Sequence, residues 1–176
     1  MTRRFLLAAL AVLPLVGAVT SCNRSGKVAP ADHAMLESPM GEAVVRFMLT
    51  EADDVRQRAK LAVLVIGEGM EESSAAFRAR FGDAGLNLVD GSTLTKVWVG
   101  PEARIVEKKS GLQPLQLQLT SATRRTDGGW EVIAAWAYGD RFVRKRYVAS
   151  QPAGESGPWK IEPLELIAEK SRPGGN

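Results

Sequence analysis

Apolar positions in the first half of the chain recur at intervals of three and four. From Ser38 onward, Val44, Phe47, Met48, Ala52, Val55, Ala59, Ala62, Val63 and Ile66 fall on one helical face. Ser38 followed by Pro39 supplies a start, because serine caps orphan amides and proline fits the first turn. Thr50 with Asp53 has the form of a capping box and predicts a break into two helices. Asp54 and Arg58 are spaced for a supporting ion pair. Residues 61–66 form an unbroken apolar run that fits either the end of a helix or a buried strand. Residues 70–81 predict another helix, with Glu71 and Glu72 at its positive end, Phe77 and Phe81 on one face and Gly82 as its stop.

After a loop over residues 83–92 the period changes to two. Leu115, Leu117 and Leu119 alternate with Gln116, Gln118 and Thr120, which predicts a half-buried strand. Asp127-Gly128-Gly129 supplies a tight turn. Residues 130–138 then place apolar groups on both faces, as a central strand does, and Gly139-Asp140 turns the chain into residues 141–150. Shorter strand candidates are 95–99, 104–108 and 159–166. Helices followed by a meander predict an α+β domain, with N-terminal helices packed on a curved antiparallel sheet of about four to six strands. Residues 38–168 make this single domain, 22–37 read as a flexible tether, and 169–176, with Pro173, Gly174 and Gly175, as a disordered tail.

Residues 1–21 follow a different pattern. Arg3 and Arg4 precede an apolar stretch from Phe5 to Val19, and two small residues precede Cys22, the layout of a secretory signal. The stretch contains Pro14 and Gly17 and falls short of the roughly 20 residues that a spanning helix needs. Val19-Thr20-Ser21-Cys22 resembles the lipobox of bacterial lipoproteins: an aliphatic residue, two small ones, then cysteine. That resemblance implies that Cys22 becomes the acylated first residue of the mature chain. Two acyl chains suffice for stable anchoring. An ordinary signal with a chance cysteine and a cytosolic protein with one buried thiol are the competing readings. Asn23 stands where many inner-membrane lipoproteins carry aspartate, so the resemblance implies the periplasmic side of the outer membrane rather than the inner membrane. It also leaves no free thiol for disulfides, thiol catalysis or metal ligation, because Cys22 is the single cysteine.

Charge narrows the choice of partner. Of 23 basic side chains the signal removes Arg3 and Arg4, leaving 21 against 20 acidic ones. A near-neutral mature chain lacks the concentrated basic footprint of nucleic-acid binders. Residues 32–100 are acid-rich, with 7 basic and 11 acidic side chains, and residues 101–150 are basic, with 9 and 5.

Few residues offer chemistry. Residues 61–72 imitate a dinucleotide-binding fingerprint through Gly67-Glu68-Gly69, but the third glycine falls at Glu72, and Glu68 and Glu71 would repel a pyrophosphate. No nucleotide, cofactor or metal is therefore expected. His33, the one histidine, falls in the tether and reads as a solvated residue. The neighbours Asp53/Asp54 and Glu71/Glu72 point about 100° apart on a helix and share no site. Asp90, Asp140 and Tyr138 would serve as base or donor only if they faced a cavity.

Arg141, Arg144, Lys145 and Arg146, with Arg124 and Arg125 across a hairpin, form a basic cluster that would suit an anionic headgroup or an acidic partner, or would protect a strand edge. The four tryptophans, Trp98, Trp130, Trp136 and Trp159, fall in the strand half and read as core, while Trp98, Trp136 and Tyr138 are the candidate lining of a ligand pocket.

The order of elements, ending in Gly157-Pro158-Trp159-Lys160-Ile161, resembles the small nuclear-transport-factor-like or ketosteroid-isomerase-like domains. The resemblance implies helices covering a curved sheet around a conical cavity. No catalytic position of that superfamily matches a residue here, so it implies no activity. The expectation is a lipid-anchored, non-enzymatic envelope protein that binds another envelope protein as an accessory subunit of a membrane-associated assembly. The alternative is a module holding a small apolar or lipid-like ligand under the sheet.

Overall fold

The computed structural model describes residues 30–100, 102–151 and 157–171. Cys22, the signal and residues 172–176 lie outside them. The elements in chain order are α1 (Pro30–Leu36), α2 (Pro39–Glu51), α3 (Asp53–Arg56), β1 (Ala62–Ile66), β2 (Glu71–Glu72), α4 (Ala75–Ala79), a 3₁₀ turn (Gly91–Thr93), β3 (Leu94–Val99), β4 (Glu102–Glu107), β5 (Leu115–Arg124), β6 (Trp130–Tyr138), β7 (Arg141–Ser150) and β8 (Lys160–Ser171). Six strands form one open sheet in the order β2-β1-β5-β6-β7-β8, and β3 with β4 forms a separate ribbon. The fold is α+β, as the pattern of periods predicts.

The run at 61–66 resolves as a strand. Val63, Val65 and Ile66 are β-branched, and all five residues of β1 are buried, the mark of a strand covered on both faces. The sheet is mixed rather than wholly antiparallel, because β1 pairs with β5 in parallel, Ala62 opposite Leu115 through Ile66 opposite Leu119. Between them the chain detours through β2, α4 and the ribbon before returning in the same direction.

Ser38 caps α2 as expected, its hydroxyl accepting from the Met40 amide at 3.2 Å. α2 buries Met40, Val44, Val45, Met48 and Leu49. The helix breaks where expected, at Ala52, but not through a capping box: the Thr50 hydroxyl donates to the Phe47 carbonyl at 2.7 Å, and Asp53 accepts from Arg56 and Gln57.

Two boundaries move. Residues 30–36, read as tether, form α1 and bury Leu36 completely, so they belong to the folded domain. Its close contact with α2 depends on Gly41, where a Cβ would lie 1.7 Å from the Leu36 carbonyl oxygen. At the other end β8 runs to Ser171, taking residues 169–171 into the sheet.

The helix expected over 70–81 starts only at Ala75, capped by Ser74, whose hydroxyl accepts from the Phe77 amide at 3.1 Å. Gly67 (φ 74°) and Met70 (φ 53°) reverse the chain instead, so that Glu71 and Glu72 pair with Ile66 and Val65. Phe77 and Phe81 do share a face, edge to face at 5.3 Å.

Leu115, Leu117 and Leu119 are fully buried and share one core with Leu64, Met48 and Val44. Side chains of α1, α2, β1, β5, β6 and β7 fill the space between helices and sheet.

Candidate functional site

Strand alternation sends the four cations of β7 to opposite faces of the sheet. On the helical side, Arg141 reaches Asp54 at 2.6 Å and lies 5.0 Å from the centre of the Trp136 ring. Lys145 reaches Glu51 at 2.7 Å, and the Tyr147 hydroxyl donates to the same carboxylate at 2.8 Å. On the other side Arg144 meets Glu68 at 2.7 Å, and Arg146 lies 3.2 Å from Glu131 and 3.1 Å from Glu165. Each cation of the expected anion patch thus has a carboxylate of its own. Acids of the first half neutralise Arg141, Arg144 and Lys145, while Arg146 is neutralised from within the second half.

These pairings shift two protonation equilibria. At Asp54 partial desolvation favours the neutral acid, but the hydrogen bond and charge of Arg141, with Arg58 nearby, outweigh it and hold the carboxyl below its ordinary value. Burial, reinforced by the Glu51 carboxylate, pushes the Tyr147 phenol well above the usual tyrosine range.

Trp98, Trp136 and Tyr138 stand in different surroundings. Trp136 is core, 4% exposed, and Tyr138 donates to the Arg58 carbonyl at 3.4 Å from the same strand. Trp98 belongs to the separate ribbon and is 68% exposed. Asp90 is held by Arg78 at 2.5 Å, and Asp140 is exposed in the β6–β7 turn. His33 is no free linker residue: from α1 it lies 3.0 Å from Glu71. Among the described residues no group of three or more His, Cys, Asp or Glu is placed to hold a metal, and no helix is long and apolar enough to cross a membrane.

A groove of about 730 Å³ opens where α1 meets α2, at the far ends of β5 and β6. Met35, Pro39, Arg124, Trp130, Pro158 and Trp159 line it. The β5–β6 turn sets its chemistry. Gly128 takes φ 88°, and Asp127 accepts from the Gly129 amide at 3.0 Å while pairing with Arg125 at 2.8 Å. Arg125 is thereby neutralised. Arg124, the last residue of β5 and register partner of Trp130, instead lays its guanidinium 5.1 Å from that ring's centre. No ion pair of Arg124 occurs among the described residues, in contrast to the cations of β7. A second hollow of about 490 Å³ beside Leu49 and Ala84 is rimmed by Arg46 and Arg56. Both are committed, Arg46 to Glu42 and Asp83 at 2.9 Å each and Arg56 to Asp53 at 2.5 Å.

The groove escaped the sequence reading because its walls come from four distant segments. One signal was present: Trp130 and Trp159 each follow turn residues, Gly128-Gly129 and Gly157-Pro158, immediately before or at the start of a strand, where a side chain is only half covered.

Comparison of the chain with protein-family models, curated proteins and solved structures found no match.

Proposed function

We propose that the chain is a bacterial envelope lipoprotein, held by acyl chains on Cys22, whose α+β domain works by binding rather than catalysis. Its target is an extended segment of a partner polypeptide, and the protein serves as an accessory subunit of a membrane-associated assembly. The periplasmic side of the outer membrane is its location, by the lipobox and Asn23.

One observation carries the reading: in the groove Arg124 lies against Trp130 with no ion pair to any of the described residues, beside the half-buried Trp159. Aromatic and arginine side chains are the groups over-represented where binding energy concentrates. An apolar side chain between the indoles and an acidic one on the guanidinium would suit these walls. The space between helices and sheet is filled by Val44, Met48, Leu64, Leu117 and Trp136, which favours the groove over a ligand buried beneath the sheet.

The test is site-specific photocrosslinking in intact cells. A crosslinker at Trp159 should trap one discrete polypeptide, and Arg124→Glu should abolish the adduct while the protein remains folded. Adducts that persist in Arg124→Glu would reject the groove. Unchanged palmitate incorporation in Cys22→Ala would reject the anchor.

A further inference from the structure

The β3–β4 ribbon stands outside the six-stranded sheet and turns at Gly100, whose φ is 61°. At this tip Trp98 is 68% and Val99 51% exposed. Neighbours on a strand project from opposite faces: Trp98 stands opposite Ala103 on one, where Lys96 also falls, and Val99 opposite Glu102 on the other. An exposed indole beside a lysine suits the membrane interface, where the ring is buried and its N–H stays wet.

Charge on the ribbon agrees. Residues 94–109 contain Lys96, Arg104, Lys108 and Lys109 against Glu102 and Glu107. Lys96 sits 5.1 Å from the Trp98 ring centre, pairing cation and indole at the tip. Glu107 is turned inward, accepting from the Lys109 amide at 3.0 Å and the Ser110 amide at 2.7 Å, and is buried. Exposed lysines near a surface of anionic lipid are attracted to it.

Position agrees as well. Arg78 grips Glu72 of β2 at 3.0 Å and Asp90 at 2.5 Å, fixing the ribbon's root to that edge of the sheet. The adjacent Glu71 lies 3.0 Å from His33 of α1. The first described helix and the ribbon are therefore fastened to the same short strand. Pro30 stands eight residues after Cys22, a span of at most about 28 Å when extended.

We propose that the ribbon is a second, reversible membrane contact: Trp98 and Val99 enter the interfacial zone of a bilayer carrying anionic phospholipid, with Lys96 against its phosphates. Its nearness to the bilayer rests on the anchor reading above. Two contacts on one edge would fix the domain's orientation, which a single point of attachment cannot do.

The test uses the full chain reconstituted into phosphatidylglycerol–phosphatidylcholine vesicles with brominated acyl chains. Bromolipid should quench part of the tryptophan emission. That part should vanish in Trp98→Phe, and should fall in Lys96→Glu and in vesicles of phosphatidylcholine alone. Equal bromolipid quenching in wild type and Trp98→Phe, with aqueous iodide reaching Trp98, would overturn the proposal. The mass of the N-terminal peptide from the same preparation reports acylation separately: an unmodified Cys22 rejects the anchor, while the Trp98 comparison still decides the ribbon.

Discussion

Tyr147 of β7 donates its phenolic hydrogen to Glu51 of α2 across 2.8 Å, at a position only 1% exposed. The bond ties the last residue of α2 to the sheet at the border of the core. Tyr147→Phe keeps the ring, including its edge-to-face contact with Phe47 at 6.0 Å, and removes only the hydroxyl. A loss of about 1–2 kcal/mol in chemical denaturation is expected, since the hydrogen bond goes to a charged acceptor. Glu51→Gln in the Tyr147→Phe background should cost less than Glu51→Gln alone, and additive losses would show the two groups to be uncoupled.

The same phenol governs alkaline behaviour. Its folded pKa is raised above the unfolded value, so the neutral form stabilises the fold fully below about pH 10 and progressively less as pH climbs beyond that. Wild-type stability should fall with pH through the alkaline range. In Tyr147→Phe this contribution to the slope should be missing when unfolding is followed by circular dichroism.

At acid pH Asp54 works in the opposite sense. Its folded pKa is depressed by Arg141 and Arg58 against a desolvation that opposes them. The stabilisation is present above the ordinary carboxylate value of about 3.9 and is lost as pH falls through the lower, folded value. Asp54→Asn should narrow the gap in stability between neutral pH and pH 2, measured by urea midpoints at each pH. An unchanged gap would show the Arg141 pair to be energetically silent.

Much of the fold was legible because one period dominates each element. Leu115, Leu117 and Leu119 alternate as a strand must, and Ser38-Pro39 marks a helix start through purely local hydrogen bonding. Illegible features depended on distant partners. The run at 61–66 became a strand because β5 arrives beside it from across the detour through the ribbon. Residues 30–36 look like tether in composition, yet they fold because Leu36 finds a place against α2 and β5. The cations of β7 read as a patch until Asp54, Glu68, Glu51 and Glu131 came into range from other segments. Trp98 shows the converse: an aromatic residue in a strand reads as core, and only the ribbon's separation from the main sheet exposes it.

Gly41 tests the docking of α1. A Cβ there meets the Leu36 carbonyl oxygen at 1.7 Å, a backbone atom that no rotamer change can move aside. Gly41→Ala should therefore destabilise by on the order of 1–3 kcal/mol, as overpacking does, although alanine is the better helix former. Limited proteolysis should then cut within residues 30–38 before the rest of the domain. Gly85→Ala is the control: that site has open space but φ 68°, so any cost there is backbone strain without loss of α1.

Two arginines separate the rival accounts of the basic half. Arg144 lies 2.7 Å from Glu68, and reversing it to Glu sets two carboxylates against each other on a partly exposed surface, a penalty of roughly 1 kcal/mol or less that salt should diminish. Arg124 has the aromatic face of Trp130 as its neighbour, so Arg124→Glu should leave the denaturation midpoint nearly unchanged. Partner capture should respond in the reverse order, lost with Arg124→Glu and retained with Arg144→Glu. If both substitutions abolished capture equally, the recognition surface would extend over the sheet's cationic strand. Retention in Arg124→Glu with loss in Arg144→Glu would move the binding site from the groove to β7, even though each cation there already has an acidic neighbour.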